Sequence, residues 1–509
     1  MPPHPALSGT APRPAWEPIG LGIVLRLVQV WMPVLGVHSW RQADTAAMAR
    51  HFAEQGTPIW LPQIDWGGAT AGFVESEFPL YPFLVSRLYG LMGVQEWLGR
   101  GLSVFCSALT IWLVIRLGRR WFSPQVGWWA GLAFAIAPLG VYYGRSFQAE
   151  ALLVLCAAGS LEAHSIFVER RKAWALTLSW ICFTGAALIK VIPLLWLGLP
   201  LLLVQITPSP RTTAESPQQI LRRLLRLTLN PWFWVYASTA LAVTSGWYVH
   251  AYQLGEASGL TFGFWGEDSN RSNIGLALNL SSWVDLAIRT GIRALVVTGV
   301  PLLVIGTMSS WRFGGGRIAL GGAIGMLICT AATMRSSTVH EYYQFPFLLF
   351  SSPLVGLGWQ TLQYKPRRWP IQMLLSITLI ASLSILSIDY WAVETRQRSI
   401  WMPLAESIRR EIPANARVVS VTDSDPTLLN LARRQGWIMP SRELTLDQLK
   451  KLKDNGASYL TGSLSWHNTY TPMQEAESNR IKQLIRMQNT SSADKNQKTY
   501  LIPIEDLIP

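Results

Sequence analysis

Charge is scarce in this chain: 14% of its 509 residues are Asp, Glu, Lys or Arg, while 50% are hydrophobic. Soluble proteins carry about 25% charged residues, so a single soluble globule is excluded, and the apolar content excludes intrinsic disorder. Cysteine is nearly missing too. Cys106, Cys156, Cys182 and Cys329 each lie inside an apolar stretch, and none has a partner at metal-ligand spacing. They read as small core residues, so neither a disulfide framework nor a zinc site is expected. No repeat is visible, which excludes collagen-like and coiled-coil architectures and removes the internal symmetry common in transporters.

What charge there is lies unevenly. Residues 392–509 hold 29 charged side chains, about a quarter of that stretch, against about 11% of residues 1–391. This pattern predicts a mainly α, polytopic membrane domain over 1–391 and a small soluble α/β domain over 392–509. Crossing a bilayer takes about 20 apolar residues. Eleven stretches qualify, near 17–37, 98–117, 125–143, 151–168, 173–189, 191–206, 231–250, 286–308, 317–333, 345–361 and 371–391. The first lacks a small-residue cleavage site and reads as an anchor.

The net charge of +13 sits largely in short loops. A cytoplasmic excess of Lys and Arg explains it more simply than nucleic-acid binding. Five clusters should face the cytoplasm: Arg116/Arg119/Arg120, Arg170/Arg171/Lys172, Arg222/Arg223/Arg226, Arg312/Arg317 and Lys365/Arg367/Arg368. That holds only if 79–95, which carries Arg87 and is bent by Pro79 and Pro82, lies at the interface and does not cross. The N-terminus is then inside and the tail outside. The outer face collects the loops 38–97, 251–285 and 334–344, the turn from Arg145 to Glu150, and Lys190.

In the tail, 417–423 alternates as a strand. Asp425-Pro426 starts a helix that Gly436 ends. A second helix over 446–455 stops at Gly456, and 457–461 and 499–504 read as strands of a mainly parallel sheet. The turn Asp423-Ser424-Asp425-Pro426 is acidic and lacks glycine, so it is a poor phosphate cradle. The tail reads as an acceptor-binding or lid module, or as a packing partner.

Five polar segments on the expected outer face could carry chemistry. Asp44, before a helical stretch over 46–54, is either a helix cap or a general base, with Arg41 three residues earlier to orient it. Glu75 and Glu77 precede a proline-bent segment and read as loop or headgroup-level carboxylates. Arg145 and Glu150 separate two apolar spans. Lys190 stands alone among apolar residues, which is costly unless it snorkels or binds an anion. Arg335, His340, Tyr342 and Tyr343 share a span end, where Tyr is a common anchor. Together they supply cations and carboxylates on one face, an inventory suited to a lipid-linked phosphate and an incoming hydroxyl.

At these residues the chain resembles the GT-C integral membrane glycosyltransferases, most closely the family 39 group. That group includes the protein O-mannosyltransferases and the aminoarabinose transferase of lipid A. Arg41-Gln42-Ala43-Asp44-Thr45 looks like the family's first-loop acidic motif, and Glu77-Phe78-Pro79 like the acidic residue before a proline. Arg145 to Glu150 looks like the second acidic motif, with Glu where relatives usually carry Asp. Ala187 to Pro193 resembles the basic turn, and His340-Glu341-Tyr342-Tyr343 a late outer-face motif. The resemblance covers roughly 15–390.

It implies sugar transfer from a polyprenyl-phosphate donor to a hydroxyl-bearing lipid, glycan or protein, usually with inversion. Asp44 would be the base and Glu77 and Glu150 would position substrates. Arg145, Lys190 and His340 would meet the phosphate. Arg41, Glu75, Arg335, Tyr342 and Tyr343 complete the expected binding set. The expected partners are that donor, the bilayer and the acceptor, with no nucleic acid, in the cell (inner) membrane with the tail extracytoplasmic. No metal-ligand cluster is visible and many relatives need none; a divalent metal ion stays open. The competing expectations are a transporter or flippase for a lipid-linked glycan, and a non-catalytic scaffold.

Overall fold

The computed structural model describes residues 13–207, 217–265, 273–363, 369–486 and 498–508. Every one of the eleven apolar stretches contains helix, often broken into two pieces. Among the described residues, four helices are long and apolar enough by length and composition to cross a membrane: Glu96–Trp121, Glu150–Arg170, Gly314–Ala332 and Ile371–Glu411. Shorter apolar helices, among them Ala173–Ile189, Pro193–Ile206 and Gly299–Ser310, pack with them. The basic cluster Lys365/Arg367/Arg368 lies outside the described residues.

Local chemistry sets the breaks. Ser123 accepts a hydrogen bond from the Val126 amide at 3.2 Å. Pro124 fills the first position of the helix Pro124–Ile136, where its missing N–H costs nothing. Asn230 and Pro231 start Pro231–Ser258 in the same way, and Gly259 ends it in the left-handed region at φ 68°. Small residues let helices touch. A Cβ on Gly306 would lie 1.8 Å from the Leu354 carbonyl oxygen, so only glycine permits this approach of Gly299–Ser310 to Phe347–Gln363. One continuous apolar core results, running from Leu25 to Tyr390.

The segment expected at the interface is the 13-residue helix Leu80–Met92. At 1.5 Å per residue it is about 20 Å long, short of a hydrocarbon core of about 30 Å.

The tail sheet has four strands: β1 (Arg417–Val421), β2 (Gly436–Ile438), β3 (Ala457–Ser463) and β4 (Thr499–Pro503). Their order is β2-β1-β3-β4. The first three are parallel and β4 is antiparallel to β3. β1 is apolar on both faces because both are covered. Val419 and Val421 pack with Leu449, Leu460 and Ile502, while Val418 packs with Trp401, Ile408 and Leu428.

Three local expectations change. The helix after β1 is only Thr427–Ala432, and it ends at Arg433 in the left-handed region rather than at Gly436. Gly436 instead opens β2, a strand too short to show alternation. The helix Glu475–Arg486 was not read from the sequence. The last apolar helix does not stop at the tail: it passes through a π-helical turn, Leu386–Trp391, into Ala392–Glu411.

Candidate active site

The helix carrying Asp44 begins earlier than the sequence suggests. It spans Ser39–Gln55, after His38 in a left-handed conformation. Asp44 is therefore in the second turn, where a side chain cannot cap, and the capping role falls away. Asp44 is 2% exposed. Its Oδ1 accepts a hydrogen bond from Trp66 Nε1 at 3.0 Å. Burial holds its pKa well above the ordinary carboxylate value, against the lowering effect of the Trp66 bond.

Arg41 does not orient Asp44. Its guanidinium pairs with Glu77, donates to the Phe262 carbonyl at 3.1 Å and lies over the Phe262 ring at 4.2 Å. Burial disfavours the Arg41 charge, but Glu77 and its neighbours more than restore it, so the pKa moves up. Lys190, at the end of Ala173–Ile189, pairs with Glu150 at 2.5 Å. Its Nζ also lies 4.5 Å over the Tyr342 ring and 4.9 Å over the Tyr343 ring. Each of the two cations thus has one carboxylate partner and lies against aromatic rings.

One cleft encloses about 1940 Å³ of empty space and opens to solvent. Arg41, Asp44, Glu77, His340, Tyr342 and Tyr343 line it. A second cavity of about 410 Å³ holds Glu150 and Lys190 and shares Arg41 and Glu77 with the first. The Arg41–Glu77 pair is the wall between them. Eight of the expected site residues therefore converge on adjoining cavities. Among the described residues no group of three or more His, Cys, Asp or Glu could hold a metal ion.

Residues 76–250 match the family described as dolichyl-phosphate-mannose-protein mannosyltransferase, a stretch that contains Glu77, Glu150 and Lys190 and begins after Asp44. Among solved structures, ArnT from Cupriavidus metallidurans bound to undecaprenyl phosphate is similar, with a TM-score of 0.66 at 14% identity over 96% of this chain and 97% of that one. Its apo state matches at the same TM-score. The Archaeoglobus fulgidus oligosaccharyltransferase matches with a TM-score of 0.56 at 13% identity, over 89% of this chain and 68% of that one. The chain shares the fold of these structures over most of its length, and about a third of it matches that family. No curated protein matches its sequence.

Three of the expected site residues lie away from the cavities. Arg145 is fully buried and bonds Glu394 at 2.7 Å, beside Arg100, which bonds the same carboxylate at 3.2 Å. It clamps the tail helix to the membrane domain. Glu75 accepts hydrogen bonds from the amides of Gly263, Phe264 and Trp265 at 2.7–3.2 Å, stapling the segment that forms one cleft wall. Burial raises its pKa, and those three amides oppose the rise. Arg335 is exposed on Met334–Val339.

Sequence reading missed Trp66, Trp40, Phe262 and Ser424, which also line the Asp44 cleft. Trp66 had one signal, an indole followed by Gly67-Gly68 in a polar loop. Trp40 stands one turn before Asp44 on the same helix, while Phe262 and Ser424 had no signal because chain segments far apart in sequence bring them there.

Proposed function

We propose that this chain is a family 39-like GT-C membrane glycosyltransferase that moves a sugar from a polyprenyl-phosphate donor to a hydroxyl on a lipid, glycan or protein acceptor. The reading places the reaction at the outer face of the cell (inner) membrane, with eleven spans, the N-terminus inside and the tail outside. One observation carries it: a buried carboxylate with a raised pKa opens onto a large cleft whose walls hold Arg41, and Lys190 lies just behind. The similarity to ArnT, solved with undecaprenyl phosphate, supports a donor of that class.

Asp44 accepts the proton of the acceptor hydroxyl as that oxygen bonds the anomeric carbon. The bond from the anomeric carbon to the phosphate oxygen breaks, and its electron pair leaves with polyprenyl phosphate. Attack from the side opposite the phosphate inverts the centre. Arg41 and Lys190 stabilise the charge gathering on the phosphate. Glu77 and Glu150 hold these cations in place until the donor arrives, and His340, Tyr342 and Tyr343 shape the pocket around its headgroup.

No step is assigned to a metal, so turnover is expected to persist in excess EDTA. Loss restored by an added divalent cation would move the phosphate charge onto that ion. The decisive experiment incubates the purified protein with a panel of labelled polyprenyl-phosphate sugars and measures released polyprenyl phosphate. Release by wild type and release slowed by about 10²–10⁴ in Asp44→Asn is the expected result. No release from any donor would sink the reading.

A further inference from the structure

The tail carries a second cleft, separate from the one around Asp44. It encloses about 900 Å³ and is lined by Asp423, Ser441, Arg442, His467, Glu477 and Arg480. Its position follows from the sheet. Asp423 follows the end of β1, Ser441 and Arg442 follow β2, and His467 follows β3. β1 lies between β2 and β3, so successive connections leave it in opposite directions. The crevice outside the carboxyl ends of parallel strands, at such a switch in strand order, is where open α/β sheets hold ligands.

The residues there are arranged and not merely gathered. His467 is fixed from both ring nitrogens, by Ser441 Oγ at 3.2 Å and by Glu477 at 3.0 Å. Glu477 is thereby occupied. Asp423 sits in the left-handed region at φ 54°, with one carboxylate oxygen accepting from Asn468 at 3.3 Å. Among the described residues its other oxygen accepts no hydrogen bond that would compete with a ligand hydroxyl.

The two arginines are less committed. Arg480 donates to the carbonyls of Ser441 and Arg442. Among the described residues its guanidinium has no carboxylate partner within salt-bridge distance. The Arg442 side chain is 80% exposed, and its nearest carboxylate is Glu443 at 3.9 Å. Two guanidinium groups flanking a carboxylate suit a ligand that carries both an acidic group and hydroxyls.

This cleft also adjoins the reaction cleft. Asp423 lines one and Ser424 lines the other. We infer that the cleft at the carboxyl ends of β1, β2 and β3 is an acceptor subsite for an acidic saccharide, with Arg442 and Arg480 on its carboxylate or phosphate and Asp423 on its hydroxyls. The inference rests on the glycosyltransferase reading and gives the acceptor a chemical class.

The test is binding, measured by titration calorimetry on the full chain in lipid nanodiscs with three probes. They are a tetra-galacturonate, glucose 6-phosphate and the neutral maltotetraose. Wild type and Asp44→Asn are expected to bind at least one acidic probe and to ignore maltotetraose. Arg442→Ala/Arg480→Ala, which changes two surface side chains, is expected to weaken acidic-probe binding about tenfold or more. Preference for the uronate identifies a carboxylate, and preference for glucose 6-phosphate a phosphate. Equal binding of acidic and neutral probes, equal binding by wild type and the double variant, or no binding at all would each overturn the inference. Donor cleavage, read separately as polyprenyl phosphate release, reports on the glycosyltransferase reading independently.

Discussion

A carboxylate that takes a proton from a hydroxyl must be deprotonated when substrate arrives yet basic enough to accept the proton. Burial gives Asp44 the second property at the expense of the first. Its active form is lost as pH falls through the raised value, so kcat/KM should show an acidic limb above the ordinary aspartate value of about 3.9. Asp44→Asn should remove that limb and lower kcat by about 10²–10⁴. Stability has the opposite sign. Burial makes the folded protein bind the Asp44 proton more tightly than the unfolded chain, so the carboxylate's contribution is present at low pH and lost as pH rises through the raised value. Asp44→Asn should therefore melt higher than wild type at neutral pH, with the gap closing on acidification. Trp66→Phe removes the one bond that lowers the Asp44 pKa, so the kinetic limb should move to higher pH with the fold kept. A limb that stays in place in Trp66→Phe would assign it to another group. Asp44, Glu77, Glu150 and Lys190 were legible from the sequence because a charge beside an apolar run is costly and therefore conspicuous. Their pairings were not. Arg41 meets Glu77, 36 residues on, and Lys190 meets Glu150, 40 residues back; only helix packing decides such partners.

At the scale of elements, Ala392–Glu411 links the two parts of the molecule through one buried carboxylate. Glu394 is 1% exposed and accepts from both Arg100 and Arg145, themselves fully buried. Removing it strands two guanidinium groups inside the protein. Glu394→Ala should cost about 3–5 kcal/mol, read as a lowered melting temperature in detergent and poor recovery of folded protein. Glu394→Gln, which keeps an acceptor, should lose less. If Glu394→Ala melts like wild type, the clamp contributes nothing. Helix existence was legible here from apolar run length, and strands β1, β3 and β4 from alternation and turn residues. Boundaries were not. The helix around Asp44 starts at Ser39 because Ser39 is tied to the tail through Thr469 at 2.8 Å and Thr427 at 3.1 Å, contacts with no trace in the local sequence. β2 escaped notice because three residues cannot display a period.

For the whole molecule, the tail reaches the wall of the Asp44 cleft through backbone and not only through side chains. Gly436, at the start of β2, donates to the Asp65 carbonyl at 2.9 Å and accepts from the Gly68 amide at 2.8 Å. Arg417 of β1 adds a bond to the Gly68 carbonyl at 2.9 Å. Asp65 is anchored on its other side. Burial alone would raise its pKa, but Arg50 and His51 hold it below the ordinary value, so it stays a charged strut. Trp66, the residue that bonds Asp44, sits between these ties. The sheet edge thus fixes the indole that bonds Asp44. A chain ending at Glu411 keeps Glu394 and its two arginines but loses the strands that hold residues 65–68. It should insert and elute as a single folded species, while its release of polyprenyl phosphate falls by about a hundredfold, the loss expected when a reacting group is misplaced by about 1 Å. Gly436→Val in the full chain should act in the same direction, because a Cβ there would lie 1.9 Å from the Val418 carbonyl oxygen and push β2 off its neighbours. Full turnover by both variants would reduce the tail to a cover, and the link from strand edge to Asp44 would fall with it.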